Sequence, residues 1–190
     1  RPTRAEITDV ANAIYDGTSA IMLSGETAAG KHPVEAVQTM ALIARTTEKD
    51  INYESRLYAR AADHSTSIAN AVSHAAVTTA LDLGAKAVVT VTKSGATARM
   101  ISKFRPGCMI IGCATSSIIM RQMNLSWGVY PVLIDEKSST DELFEHALSR
   151  SVESGLLENG DIVVITAGIP LGVSGTTNML RVEKAVVAAE

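Results

Sequence analysis

The residues best suited to chemistry in this sequence form one hydroxyl-rich run between an apolar segment and a helical pattern. Free backbone N–H groups at a helix N-terminus, together with the positive end of the helix dipole, favour an anion. Three hydroxyls, one ammonium and a glycine suit a phosphate monoester. Capping of the helix by Thr92 or Ser94 is the alternative, and the two roles are compatible. The sequence predicts a phosphate site at Thr92, Lys93, Ser94, Gly95, Ala96 and Thr97.

A second candidate is the glycine-rich loop from Gly168 to Thr177, which follows another apolar segment. Parallel α/β sheets bind ligands beyond the carboxyl ends of their strands. The two loops could therefore close on one ligand if their strands are neighbours, with a flexible hairpin connection as the alternative. The candidate residues of this loop are Pro170, Gly172, Ser174, Gly175 and Thr176.

The segment from Gly25 to His32 has the G-x-x-x-x-G-K frame of a nucleotide P-loop after a predicted strand. His32 stands where a Ser or Thr would ligate magnesium, and Pro33 follows immediately. The pattern therefore favours a turn between strand and helix over a nucleotide site.

Catalytic and metal-binding patterns are not evident elsewhere. The histidines His32, His64, His74 and His146 lack metal-ligand spacing, and no carboxylate pair stands out. We therefore predict no catalytic residue and no metal ligand in this chain. Cys108 and Cys113 are expected to be reduced core residues, which together with the lack of a signal peptide predicts a cytoplasmic protein.

Composition places the chain among globular proteins. Its 190 residues are 46% hydrophobic and 19% charged, with a formal net charge of −3. Binding to nucleic acid or to an anionic membrane usually requires an excess of positive charge, which this sequence lacks, so neither is an expected partner. No apolar run approaches the roughly 18 residues that span a bilayer. The absence of an initiator Met suggests that the chain begins inside a longer one.

The first fifty residues predict an incomplete α/β unit. Thr3 and Glu6 have capping-box spacing before a helix that ends at Gly17. The run Ala20 to Leu23 predicts a short buried strand, and Pro33 opens another helix. Helix, strand, loop and helix make about one and a half turns of an α/β barrel or a wound sheet. Such a piece cannot close a core alone.

The region from about Tyr53 to His64 is charged and without clear apolar period, and predicts a hinge. From Ser65 onward, helical and apolar strand patterns alternate, which is typical of a parallel sheet covered on both faces. The final strand follows a loop too short for a crossover helix and should return antiparallel at the sheet edge. The fold class is thus a three-layer α/β/α, mostly parallel five-stranded sheet with an antiparallel edge strand, preceded by the incomplete α/β unit. The predicted strands are Ala87–Val91, Met109–Cys113, Gly128–Ile134, Asp161–Thr166 and Met179–Val182.

Several segments, in this order, resemble the pyruvate kinase family. The most specific is the run Met22-Leu23-Ser24-Gly25-Glu26-Thr27-Ala28, which resembles the end of that family's catalytic barrel. The Thr92-Lys93-Ser94-Gly95 run is similar to its effector phosphate loop. The resemblance continues through Arg1–Glu6, Asp9–Ala13, Pro33–Val37, Tyr130–Val132, Gly160–Asp161 and Thr177–Val182.

The resemblance implies that residues 1–54 are the terminal part of a (β/α)₈ barrel and that residues 55–190 form a C-terminal effector-binding domain. The parent enzyme would transfer a phosphoryl group from phosphoenolpyruvate to ADP, assisted by Mg²⁺ and K⁺. Its catalytic lysine and metal-binding carboxylates would precede Arg1, so we expect this chain to be inactive alone and to contain no cofactor. The expected partners are a phosphorylated small-molecule effector and further copies of the chain, as in the family's tetramers.

Two departures from the family's animal and yeast pattern bear on the effector. Ala96 stands where those members carry an Arg, and Ile169-Pro170-Leu171 replaces a Trp-Arg pair. A second anionic group would lose charge-assisted partners there. The pattern resembles bacterial members and favours AMP or a sugar monophosphate over fructose 1,6-bisphosphate. A free-standing phosphate-binding or assembly domain is the alternative.

Overall fold

The computed structural model describes residues 1–61, 67–171, 173 and 175–186. The chain separates into two compact units, Arg1–Asn52 and Tyr53–Glu190. This division lies close to the domain boundary predicted after residue 54. Each unit is described by itself below.

The first unit consists of helices. They are α1 (Arg4–Asp16), the short α2 (Gly25–Ala28) and α3 (Pro33–Glu48). Thr3 caps α1 in a complete capping box, because its hydroxyl accepts from the Glu6 backbone N–H while the Glu6 carboxylate accepts from the Thr3 backbone. Gly17 ends α1 in the left-handed conformation, with φ of 85°. The hydroxyl of Tyr15 donates to Asp50 at 2.6 Å, which ties α1 to the turn that follows α3.

The strand predicted over Ala20 to Leu23 is wrong: these residues are irregular, and α2 begins directly after Ser24. A strand forms its hydrogen bonds with a neighbouring strand, and residues 1–52 contain no other strand. The apolar run therefore has no pairing partner within this unit, and Met22 is exposed.

The hinge predicted from Tyr53 to His64 is also wrong over its first part, which forms helix α4 (Tyr53–Ala61). Leu57 is buried in this helix, with 3% of its surface exposed. Tyr53 stacks on Trp127 with ring centroids 5.4 Å apart. The helix is fixed by contacts with residues distant in sequence, which its own short pattern does not reveal. Residues 62–66, including His64, lie outside the described residues.

The second unit contains a five-stranded sheet in the order β3-β2-β1-β4-β5. Strands β1 to β4 are parallel, and β5 pairs with β4 in the antiparallel direction at the sheet edge. The fold class predicted from the sequence is therefore confirmed. The strands are β1 (Ala87–Val91), β2 (Met109–Ala114), β3 (Val129–Leu133), β4 (Ile162–Gly168) and β5 (Thr177–Lys184). The helices are α5 (Ile68–Asp82), α6 (Ala96–Phe104), α7 (Ser117–Met123) and α8 (Thr140–Glu153).

Side chains alternate between two cores on opposite faces of this sheet. In β1, Val89 packs into the core beneath α8, where Phe144 is fully buried. Its neighbour Val88 packs into the other core, with Val77 of α5 and Ile101 of α6. Both faces of the central strands are thus covered by helices, as continuous apolar strands require. The arrangement holds the carboxyl ends of the parallel strands at one edge of the domain.

Candidate functional site

A cavity of about 300 Å³ lies at the carboxyl ends of the parallel strands in the second unit. Strands β1 and β4 pair directly, with Thr90 opposite Thr166, so the loops that follow them are neighbours. The structure thereby meets the condition under which the two candidate loops line one cavity. Its lining includes Thr92, Lys93, Ser94, Thr97, Gly168, Leu171, Val173, Gly175, Thr176 and Thr177.

The loop after β1 turns sharply into α6. Gly95 precedes the helix in the left-handed conformation, with φ of 74°. A Cβ at Gly95 would lie 3.2 Å from the Met123 Cγ and 2.8 Å from an Arg99 side-chain nitrogen, so space as well as conformation favours glycine. Thr92 is buried and Lys93 exposed. Gly95 has no side chain that could cap α6. The backbone N–H groups of the first turn of α6, which have no partner within the helix, lie at this edge of the sheet.

The loop after β4 is held at its base by Asn178. The Asn178 side-chain oxygen accepts from the Ile169 N–H at 2.9 Å, and its NH₂ group donates to the Ile169 carbonyl oxygen at 2.7 Å. A Cβ at Gly168 would lie 2.9 Å from the carbonyl carbon of Thr176, so the two ends of the loop approach as closely as glycine permits. The Thr176 hydroxyl donates to the Val173 carbonyl at 3.0 Å. The base of the loop is therefore a fixed turn.

A third wall of the cavity was not predicted from the sequence. Glu136 and Lys137 lie on the connection between β3 and α8 and line the same cavity, as does Thr115 after β2. Charged residues in a connection are ordinarily solvated, so their charge did not indicate a site. Only their position after a parallel strand could have indicated it. With Lys93, the cavity lining thus holds two ammonium groups and one carboxylate.

Some predicted site residues lie beside the cavity or outside the described part of the chain. Among the described residues, the lining excludes Gly95, Ala96 and Pro170. Gly95 and Ala96 form the turn and the first residue of α6, where they shape the loop. Gly172 and Ser174 lie outside the described residues.

The geometry at Gly25 to His32 does not match a nucleotide P-loop. The residues before it form no strand, and α2 begins at Gly25 itself, ahead of the Gly-Lys pair. A P-loop instead places its glycine-rich turn between a strand and a following helix. The predicted turn between strand and helix is also wrong in part, because no strand precedes the segment and its first four residues form α2. Glu26 of α2 accepts from the Ser24 N–H at 2.9 Å.

The remaining reactive groups are accounted for by packing. Cys113 is fully buried, and burial raises the pKa of its thiol to about 12. Burial likewise raises the pKa of the Cys108 thiol. Neither thiol is a thiolate near neutral pH. Over the described residues there is no cluster of His, Cys, Asp or Glu that could hold a metal ion.

Comparison with known proteins matches this architecture to one family. The family described as "Pyruvate kinase, alpha/beta domain" matches residues 70–183, which hold the sheet and both candidate loops. This chain belongs to the pyruvate kinase family. The family described as "Pyruvate kinase, barrel domain" matches residues 1–37, which lie within the first unit.

Individual pyruvate kinases extend this likeness over almost the whole chain. The chain is 50% identical over 182 residues to the enzyme of Sporosarcina psychrophila and 48% identical over 183 residues to that of Clostridium acetobutylicum. It covers 31% and 39% of those proteins, about a third of their length. The crystal structure of Cryptosporidium parvum pyruvate kinase matches with a TM-score of 0.83 at 34% identity, covering 97% of this chain and 36% of that one.

Among the described residues, the helices are too short or too polar to cross a membrane.

Proposed function

We propose that this chain is the regulatory and oligomerising portion of a pyruvate kinase and that its own cavity binds a phosphorylated effector. The observation that supports the proposal best is the convergence of two loops, after the paired strands β1 and β4, on one cavity. The effector is a sugar monophosphate or AMP.

The proposed phosphate position is the turn into α6. The hydroxyls of Thr92, Ser94 and Thr97 belong to residues that line the cavity, and Lys93 brings a positive charge to the same wall. Backbone N–H groups of the first turn of α6 add donors that need no side chain. Donors of this kind, together with one ammonium, suit a phosphate dianion.

The parent protein transfers a phosphoryl group from phosphoenolpyruvate to ADP in this proposal, with Mg²⁺ and K⁺ as its cofactors, in the cytoplasm. The chain spans about a third of its curated relatives, and its barrel match covers only residues 1–37. The carboxylates and lysine of catalysis belong to the parent's barrel in this view. The 190-residue chain is therefore proposed to be catalytically inactive and to keep the effector site.

Isothermal titration of the chain with glucose 6-phosphate and with AMP tests this function. Binding of either ligand should weaken at least about tenfold in Lys93→Met, because an ammonium and a phosphate attract strongly at contact distance. Lys86→Met is the matched control, since Lys86 is exposed and precedes β1 at the opposite end of the sheet. Absence of binding at millimolar ligand, or equal losses in both variants, would contradict the proposal.

Assembly is a second candidate function, and the first unit favours it. Within residues 1–52 only Thr47 is buried, while Met22, Val34 and Leu42 are each more than half exposed. A unit with so little core of its own needs apolar cover. Light scattering across a concentration series should show a homo-oligomer, and a monomer at all concentrations would contradict this role.

A further inference from the structure

A second cavity lies at the opposite edge of the sheet from the proposed effector cavity. Its volume is about 260 Å³, and all of its lining residues belong to the second unit. Ala85 and Cys108 line it and come just before β1 and β2, so this cavity lies at the amino ends of the parallel strands. A ligand bound there would be separate from one bound at Thr92 to Thr97.

Most of the wall of this second cavity is apolar. Helix α4 contributes Leu57, and α5 contributes Val77 and Ala80, all of them buried. An apolar cavity of about 150 Å³ is large enough to hold a benzene ring. The larger volume of the second cavity therefore leaves room for such a ring together with a short polar arm.

One buried cation belongs to the wall, the guanidinium of Arg105. This residue ends α6, and only 5% of its surface is exposed. Among the described residues it is the one residue other than glycine with a positive φ, which is 53°. Glycine adopts this conformation at a helix end at lower cost. The contacts of the arginine side chain therefore offset a cost in the backbone.

Two aromatic residues fix the position of this guanidinium. The Arg105 Cζ lies 4.6 Å from the centroid of the Trp127 ring, and Tyr53 stacks on the same ring. The Trp127 carbonyl accepts from the Ser102 hydroxyl at 2.6 Å, which ties this residue to α6. A guanidinium that stacks through its face keeps its N–H groups along its edge, in the fork geometry that matches a carboxylate. Arg105 thus provides a preorganised position for a carboxylate.

The charges of the lining favour an anion inside the second cavity. Glu54 is the other charged residue of the lining, and it is exposed. Water and salt screen an exposed carboxylate, whereas a buried guanidinium is screened much less. Cys108 is neutral near pH 7, because burial raises the pKa of its thiol. The interior is therefore electropositive and suits one anionic group on an otherwise apolar ligand.

We infer that the second cavity binds a small apolar monocarboxylate, with its carboxylate on Arg105 and its apolar body against Leu57 and Val77. This site is independent of the proposed effector function. It lies at the other edge of the sheet, and it shares no lining residue with the effector cavity.

Titration of the full chain with 3-phenylpropionate, followed through the NMR signals of the ligand, tests the inference. Arg105→Gly suits the positive φ and should raise the dissociation constant at least about tenfold, because charge-assisted hydrogen bonds are lost. Lys103→Met is the control for the loss of one positive charge, since Lys103 is an exposed residue of α6 that does not line the cavity. Its constant should equal that of the unchanged chain. The neutral analogue 3-phenylpropan-1-ol should bind at least about tenfold more weakly than the acid.

The thiol of Cys108 measures independently where the ligand binds. Cys108 is half-buried and lines the second cavity, whereas Cys113 is fully buried and lines the effector cavity. Alkylation of Cys108 by N-ethylmaleimide, located by mass spectrometry, should slow in proportion to the fraction of chains that hold 3-phenylpropionate.

A variant that fills the second cavity removes binding without a change of charge. Gly107 lines the cavity, and a Cβ there would meet no atom within 4 Å, so Gly107→Leu should fold and lose binding. Circular dichroism confirms that each variant is folded. Binding retained in folded Gly107→Leu would contradict the site.

Three further results would overturn the inference. They are absence of binding at millimolar 3-phenylpropionate, equal constants for the acid and the alcohol, and a constant in Arg105→Gly no higher than that in Lys103→Met. Binding that leaves the alkylation of Cys108 unchanged would also overturn it, because the ligand would then lie elsewhere.

Discussion

The hydroxyl oxygens of Thr97 and Thr177 lie 2.6 Å apart in a buried position, although 80 residues separate them in the chain. Thr97 belongs to the first turn of α6, and Thr177 is the first residue of β5. Both line the cavity. This contact joins the wall after β1 to the far end of the loop after β4, and the spacing between the two walls depends on it.

Replacement of Thr177 by Val should lower the free energy of unfolding by about 1–3 kcal/mol, because the Thr97 hydroxyl would remain buried without its partner. Urea unfolding measures the change. Thr177→Ser keeps the hydroxyl and should lose clearly less. An unchanged free energy of unfolding in Thr177→Val, or a loss no larger than that in Thr177→Ser, would contradict a stabilising role of the hydrogen bond beyond that of the methyl group.

Replacement of Asn178 by Leu should weaken effector binding with a smaller effect on global stability. The variant loses both hydrogen bonds to the Ile169 backbone, so the loop after β4 is no longer fixed at its base. Loss of preorganisation raises the dissociation constant through the cost of ordering the loop. Titration with glucose 6-phosphate measures the effect. Asn124→Leu is the control, since its side chain is exposed and bonds only locally to Arg121. An unaltered constant in Asn178→Leu would contradict the role of the clamp.

Replacement of Tyr53 by Ala should loosen α4 from the rest of the second unit. Its ring stacks on Trp127, whose face also holds the Arg105 guanidinium at 4.6 Å. An aromatic pair stabilises by about 0.5–1.5 kcal/mol beyond its buried area. The emission of Trp127 should shift to longer wavelength as water reaches the ring. Tyr58→Ala on the same helix removes a ring that is 55% exposed and should leave the emission unchanged. The reverse pattern would contradict the docking of α4 through Tyr53.

Stability should fall in alkali because of Cys113. Burial raises the pKa of this thiol from 9.0 to about 12, so the unfolded chain loses the proton first as the pH rises. The contribution is fully present below pH 9.0 and declines towards pH 12, by at most about 1.4 kcal/mol per pH unit. Urea unfolding between neutral pH and about pH 10.5 should show a smaller decline in Cys113→Ala than in the unchanged chain. Identical slopes would contradict this source of the pH dependence.

The elements of the second unit could be predicted because its central strands, β1 and β4, are apolar, β-branched runs. The run Ala87–Val91 was predicted to the residue, and the other four strands differ only at their ends. The candidate loops followed from the same pattern, since each comes directly after such a run. The local sequence pattern does not specify the order of the strands across the sheet. That order decides which loops lie next to each other at the sheet edge.

The features that were missed depend on partners distant in sequence. The helix at Tyr53 is fixed by Trp127, and the wall at Glu136 became visible only once β3 took its place in the sheet. The strand expected at Ala20 to Leu23 failed for the opposite reason. Its composition suits burial in a sheet, and residues 1–52 offer no strand to pair with it.

The antiparallel strand β5 has a consequence for the order in which the domain can be completed. The ribosome releases β1 and the loop that follows it long before β5, and Thr97 must wait for Thr177 to emerge. Chains fold from the N-terminus during synthesis at about 5–20 residues per second. The 80 residues between Thr97 and Thr177 therefore delay this contact by several seconds after Thr97 has emerged, and the cavity is among the last features of the nascent domain to reach its final shape.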